Sequence, residues 1–114
     1  MSVEIVITDN FKKEAKKLIK KYASLKDELF SLQEQIEVNP RLGTLIIENI
    51  YKIRLAVKSK GKGKSGGLRL INMVEDEIDE EVINTVVNML SIYDKSEITN
   101  LSDKEIRDLI NELE

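Results

Sequence analysis

Three basic residues on two predicted strands could together bind a phosphate group. Lys52 and Arg54 lie two positions apart in the stretch 50–57, and Arg69 lies in the stretch 67–74. Alternate residues of a strand share a face, so Lys52 and Arg54 point to the same side. A hairpin of the two stretches would bring Arg69 beside them. Three cations on one open face could stabilise the negative charge that develops in phosphoryl transfer.

The segment between these strands, KSKGKGKSGG, alternates lysine with serine and glycine. Glycine lets the backbone approach a phosphate closely, and lysine supplies mobile charge. The segment lacks the spacing of a P-loop and does not lead into a helix. It is predicted either to bind phosphate or to form a solvated hairpin tip. Its four cations are Lys58, Lys60, Lys62 and Lys64.

The positive charge of this acidic protein is concentrated in one region. Residues 51–74 contain seven Lys and Arg and no acid, so the net charge of −3 leaves −10 for the remainder. This division indicates an anionic partner at one site, most simply nucleic acid. There is no Cys and no His, which excludes disulfides, thiolate chemistry and a histidine base. The acids form no clear ligand cluster near the basic strands, so we expect no metal and no other cofactor.

Phosphodiester cleavage by the 2′-OH of RNA itself is possible without His. Neighbouring cations lower the pKa of a lysine, so that it can accept a proton, and a tyrosine hydroxyl can also transfer one. Tyr93 ends a third strand-like run, 82–93, and could finish beside the basic face. The other aromatic residues are predicted to be core: Phe11, Tyr22, Phe30 and Tyr51. Their scarcity disfavours a binder that stacks bases on aromatic platforms.

The remaining segments must position these residues. The run 3–7 predicts a strand, and apolar spacing predicts a helix over 11–22, with an N-cap among residues 8–10. A second helix is expected to start at Ser24 with Asp27 as its capping-box partner, and to end before Pro40. The acidic stretch 75–81 is predicted to be a hairpin turn. A last helix near the end of the chain carries a Ser102–Glu105 capping box.

The predicted order is β-α-α-β-β-β-α in one domain, residues 1–114. We expect an α+β fold, in which an antiparallel sheet of about four strands carries the helical hairpin on one face. The other face is left for the basic residues, and a C-terminal helix completes the fold. No signal-peptide pattern and no membrane-length apolar run is seen, so a cytoplasmic protein is expected.

Two parts of the sequence carry a family resemblance. The hairpin YKIRLAVKSKGKGKSGGLRLI and the segment LSIYDKSEITNLSDKEIRDLI resemble the RelE/ParE toxin superfamily, in particular its HigB-like branch. The resemblance covers essentially the whole chain. It implies a RelE-like fold and the toxin of a type II toxin–antitoxin pair, which cuts mRNA in the ribosomal A site without a metal. Its partners would be a cognate antitoxin, the ribosome and mRNA.

The resemblance also implies a set of site residues. Lys52 or Arg54 would deprotonate or orient the 2′-OH, and Arg69 would stabilise the phosphate. Tyr93 or Lys95 would assist the leaving oxygen or stack on a base. The four lysines of the linker would hold RNA backbone. Some HigB-like toxins use His in the site, and this chain has none.

Two other functions remain open from the sequence. One is a ParE-like inhibitor of DNA gyrase without nuclease activity, which would not need a cationic face of this kind. The other is a catalytically inactive RNA- or ribosome-binding module, since the same cations can bind without cleaving.

Overall fold

The computed structural model describes residues 2–61, 63, 67–98 and 100–113. In this part of the chain, five strands form one sheet with the spatial order β1-β5-β4-β3-β2, accompanied by three α-helices and one 3₁₀ turn at Lys58–Lys60. None of the described helices is both long and apolar enough to cross a membrane. The elements are β1 (Ser2–Ile7), α1 (Asp9–Lys21), α2 (Leu25–Val38), β2 (Thr44–Ile47), β3 (Ile50–Leu55), β4 (Leu68–Asp79), β5 (Val82–Asp94) and α3 (Asp103–Asn111).

The expected α+β class is confirmed, but the sheet differs from the prediction in two ways. β1 runs parallel to β5, whereas an antiparallel sheet was predicted. The chain between these strands contains two helices and a three-strand meander, which gives it the length that a parallel crossover needs. The second difference is β2, a short edge strand that pairs with β3. The sheet is therefore mixed and has five strands where about four were expected.

The helical hairpin of α1 and α2 covers one face of the sheet, as predicted. The hydroxyl of Thr8 caps α1 by accepting a hydrogen bond from the Phe11 backbone at 3.2 Å. The predicted capping box of α2 is wrong. Ser24 has helical backbone angles and makes no side-chain cap, and its hydroxyl instead donates to Glu28 at 2.9 Å.

Phe11 and Tyr22 are buried in the core beneath this hairpin, as expected. Phe30 is not: 58% of it is exposed. The buried stripe of α2 follows Leu25, Leu32 and Ile36. In a helix each position is rotated by about 100° from the next, and Phe30 lies outside that stripe. The prediction of Phe30 as a core residue is therefore wrong.

The opposite face of the sheet carries α3, which begins with the predicted Ser102–Glu105 capping box. Ile106 is the buried residue of this helix, and it packs in a second core cluster with Ile71 and Tyr93. α3 therefore covers the middle of this face. The cationic end of the sheet lies next to it.

A hairpin turn lies within the acidic stretch 75–81, as predicted, but it is much shorter than expected, because most of this stretch is strand. β4 continues to Asp79, and its last residues pair with the first residues of β5, as Ile78 does with Ile83. Glu80 and Glu81 alone form the turn, with φ of 48° and 74°. Two successive positive φ values match the hairpin turn whose twist suits the flanking strands. The pairing of the two strands has outweighed the low strand propensity of the acids.

Candidate nucleic-acid interface

Three predicted site residues form one row across adjacent strands. Arg54 of β3 is directly paired with Arg69 of β4, and Arg69 is directly paired with Tyr93 of β5. Lys52 lies two residues before Arg54, opposite Ile71. Paired positions and alternate residues share a face, so all four lie on the side of the sheet that carries α3. The structure brings these four residues together.

Arg69 is the most enclosed of the cations, with 3% of it exposed. Its guanidinium donates to the Leu68 carbonyl at 3.1 Å. Burial and the charge of Arg54 lower the pKa of Arg69, while Tyr93 acts in the opposite direction. Because an arginine keeps its proton even so, this side chain is a fixed positive charge between two strands.

Lys52 is the cation best suited to exchange a proton. It is half-buried, and its ammonium donates to the side-chain oxygen of Asn100 at 3.0 Å. Burial lowers the pKa of Lys52, and the charges of Arg54, Arg69 and Lys95 lower it further. A lysine surrounded by cations in this way is a better base near neutral pH than an isolated one.

Tyr93 lies beneath the segment that leads into α3, with 4% of it exposed. Burial raises the pKa of Tyr93, whereas Arg69 and a hydrogen bond with the Leu101 backbone lower it. The phenol therefore keeps its proton at neutral pH. A protonated hydroxyl beside an arginine is a potential proton donor to a leaving oxygen.

Lys95 is exposed in the turn after β5, and its backbone N–H donates to the Gly67 carbonyl at 3.4 Å. It is therefore at the same end of the sheet as Arg69. Gly67 passes so close to β3 that an added Cβ would lie 2.1 Å from the Leu55 carbonyl oxygen. Only glycine fits this approach, which starts β4 in the register that pairs Arg69 with Arg54.

The linker lysines do not form one group. Lys58 is exposed, and its backbone N–H donates to Glu28 at 2.8 Å. Lys60 instead directs its ammonium inward to Asp94, in an ion pair of 2.5 Å. This contact gives Lys60 a role within the fold and not at an open phosphate-binding surface. Lys62 and Lys64 lie outside the described residues.

Two residues at the site were missed from the sequence. Asn100 contacts Lys52 from a loop whose path the sequence does not reveal. Asp94 is a buried acid between Tyr93 and Lys95. Strand alternation could have found it, because it places Asp94 on the face opposite Tyr93, under the helical hairpin. An acid in that position needs a cationic partner.

The described residues offer no group of three or more acids, Cys or His arranged to hold a metal ion. What they offer is a cluster of cations around a protonated phenol. Such a cluster can bind a phosphodiester and stabilise charge on its oxygens. The lowered pKa of Lys52 increases its neutral fraction, which can accept a proton, and the phenol of Tyr93 carries a proton that it can donate.

No protein-family model matches the chain. Among solved structures, it is similar to a mutant of the E. coli toxin RelE in the free state. The TM-score is 0.55 at 18% sequence identity, and the alignment covers 100% of both chains. The whole chain therefore has a RelE-like fold.

Proposed function

We propose that this protein is the toxin of a type II toxin–antitoxin pair, of the HigB-like kind, and that it cleaves mRNA on the ribosome. The observation that carries the proposal is the row of Arg54, Arg69 and Tyr93 with Lys52 beside it. The RelE-like fold and the sequence resemblance support it. The protein would act in the cytoplasm.

In the proposed reaction the 2′-OH of the RNA attacks the adjacent phosphorus without a metal. Lys52, in its neutral form, takes the proton of the 2′-OH. Arg69 and Arg54 stabilise the negative charge that builds on the phosphoryl oxygens. Tyr93 gives its proton to the leaving 5′ oxygen, and Lys95 neutralises the charge there. The exposed Lys58 holds RNA backbone at the edge of the site.

Substrate access requires a local movement in this proposal. Arg69 and Tyr93 are almost fully enclosed in the free chain. The backbone of Leu101 is hydrogen-bonded to Tyr93, and Asn100 contacts the neighbouring Lys52. RNA can reach Arg69 and Tyr93 only if Leu101 moves away from Tyr93. The same enclosure favours the alternative of an RNA- or ribosome-binding module that does not cleave.

The antitoxin is proposed to neutralise the protein by covering the cationic face. An acidic or amphipathic segment would fit that face by charge, and it would keep RNA from Arg54 and Lys95. Both of these side chains are exposed in the free chain and are available for such a contact.

The test is cleavage of mRNA on programmed ribosomes, mapped by primer extension. We expect cuts with the wild-type protein, and a roughly hundredfold lower rate with Arg69→Ala, by the loss of a charge-stabilising donor. Lys104→Ala, at an 85% exposed side chain on α3, is the control and should cleave normally. Ribosome binding without cleavage would favour the inactive module. Inhibition of gyrase supercoiling without cleavage would favour the ParE-like alternative.

A further inference from the structure

Asp94 forms the centre of a buried polar network. One carboxylate oxygen accepts a hydrogen bond from the Tyr22 hydroxyl at 2.5 Å. The other accepts from the Lys60 ammonium, and from the backbone N–H and hydroxyl of Ser96 at 2.9 and 2.7 Å. The Asp94 side chain is 0% exposed and that of Lys60 is 9% exposed. The carboxylate is therefore fully enclosed and has four donors.

These donors come from three separate parts of the chain. Tyr22 ends α1, Lys60 belongs to the 3₁₀ turn that follows β3, and Ser96 lies in the turn after β5. A neighbouring contact strengthens the same junction, since Ser59 accepts a hydrogen bond from the Ser24 backbone at 3.2 Å. Asp94 thus joins the helical hairpin, the basic linker and the last strand at one point.

Stability alone is a weak reason for this arrangement. Burial by itself raises the pKa of Asp94, but the hydrogen bonds from Lys60, Tyr22 and Ser96 outweigh it and hold the pKa far below its usual range. The acid is therefore ionised and paired. A buried ion pair gives no more stability in general than two apolar residues of similar volume. It does fix one geometry, because charged hydrogen bonds are directional.

Asp94 lies next to the candidate site, so the geometry that it fixes is that of the neighbouring site residues. Asp94 is paired with Leu68, next to the row of Arg69 and Tyr93. Its chain neighbours, Tyr93 and Lys95, are the two candidate residues for the leaving oxygen. Successive side chains of a strand point to opposite faces, so holding Asp94 on one face fixes the direction of Tyr93 on the other.

We propose that the Lys60–Asp94 pair is a positioning unit for the candidate site, acting through Tyr93 and Lys95. This inference rests on the proposed function for its effect on cleavage. The effect of the pair on the orientation of Tyr93 does not depend on that function, and it can be measured in a protein that does not cleave RNA.

Two variants test the proposal. Asp94→Asn keeps the side-chain shape and removes the charge. The double variant Lys60→Met/Asp94→Leu replaces the pair by apolar groups, which should preserve folding. Glu97→Gln is the control, since it breaks the Lys21–Glu97 pair at the same end of the molecule, where both side chains are more than half exposed. Each protein is labelled with ¹³Cζ-tyrosine, and the Tyr93 resonance is assigned with Tyr93→Phe.

We expect both variants to shift the Tyr93 resonance and to lower kcat on programmed ribosomes by roughly ten- to hundredfold, as a displacement of about 1 Å can do. KM should stay within twofold, and Glu97→Gln should match the wild type. A folded double variant with the wild-type Tyr93 resonance and kcat would overturn the proposal, because the pair would then be structural only. If the wild type does not cleave, the proposed function fails, and the Tyr93 resonance alone decides the positioning role.

Discussion

Arg54 and Arg69 are directly paired across two antiparallel strands, so two like charges stand opposite each other on the same face. Such a pair is destabilising in a sheet, by up to about 1 kcal/mol. We therefore expect the repulsion between Arg54 and Arg69 to lower the stability of the fold. Positions where function opposes stability are typical of binding and catalytic sites.

We expect Arg54→Gln to stabilise the protein by roughly 0.5–1 kcal/mol, because it removes this repulsion. The same variant should cleave mRNA more slowly, since Arg54 contributes charge to the site. Urea unfolding and ribosome cleavage are measured side by side. Arg54→Lys keeps the charge and serves as the control. A Gln variant no more stable than the Lys variant would show that the repulsion is absent.

If Lys52 is the base, the rate of mRNA cleavage should depend on pH. Its pKa is lowered by burial and by Arg54, Arg69 and Lys95, and only the neutral amine accepts a proton. The rate should therefore rise with pH until the pH reaches that lowered pKa. Lys52→Arg should lose this rise and at least about a hundredfold in kcat. Lys95→Arg, which keeps the charge without altering the base, should retain the wild-type profile. A flat profile in the wild type would exclude Lys52 as the base.

The lowered pKa of Asp94 predicts how the free energy of unfolding depends on pH in the acid range. Its pKa is lower in the folded chain than in the unfolded chain, where it is about 3.9. The stabilisation is thus complete above the unfolded pKa and is lost as pH falls toward the folded one. At pH 7, Asp94→Asn should cost about 3–5 kcal/mol, because it leaves Lys60 buried without its partner charge.

Thermal unfolding of the wild type and Asp94→Asn between pH 7 and pH 2 checks this expectation. The gap in free energy between the two proteins should narrow as the pH falls below about 4. A gap that stays constant down to pH 2 would mean that ionised Asp94 does not stabilise the fold.

Asn72 is 1% exposed, and neither polar atom of its side chain has a hydrogen-bond partner among the residues that the structure describes. It lies on the face of the sheet that α1 and α2 cover, between the core residues Leu70 and Val74. An unsatisfied buried amide costs about 1–3 kcal/mol. Asn72→Leu, of similar size, should therefore raise the urea midpoint with an unchanged m-value. Asn88→Leu, at a buried polar position on the opposite face, is the comparison, and equal effects would contradict the assignment.

Other residues at Glu80 and Glu81 should make the turn between β4 and β5 more stable. Both residues have positive φ, which Asn and Gly adopt more readily than Glu. The double variant Glu80→Asn/Glu81→Gly should stabilise the protein by about 1–2 kcal/mol. Chemical denaturation measures the effect, with Glu77→Gln as a control for the loss of negative charge nearby. No gain over that control would argue against this turn geometry.

The sequence predicted the part of the site that depends on local rules. Alternation placed Lys52 and Arg54 on one face, and a simple hairpin brought Arg69 to them. The pairing of Asp94 with Lys60 and Tyr22 could not be assigned in this way, because the segments that meet at Asp94 are far apart in the chain. Only the packing of the helical hairpin on the sheet brings them together.

The fold class was predicted correctly on the same basis, and the details of the sheet that were wrong depend on distant segments or on weak local patterns. The helices and the three long strands follow from apolar spacing. β2 is a short run with all four residues exposed, so it shows no alternation. The parallel pairing of β1 with β5 depends on the path of the entire chain. Phe30 illustrates the limit of spacing arguments, because it is exposed although Leu32, two positions further along the helix, is buried.

The pairing of β1 with β5 also determines when the protein can fold during synthesis. Of the five strands, β5 is made after the other four, yet it lies between β1 and β4 in the sheet. Contacts between such distant segments form slowly, after the cost of closing a long loop has been met. Among these strands, β1 pairs with β5 alone, so it stays unpaired until β5 has been made. The row that contains Tyr93 therefore forms only after all five strands have been synthesised.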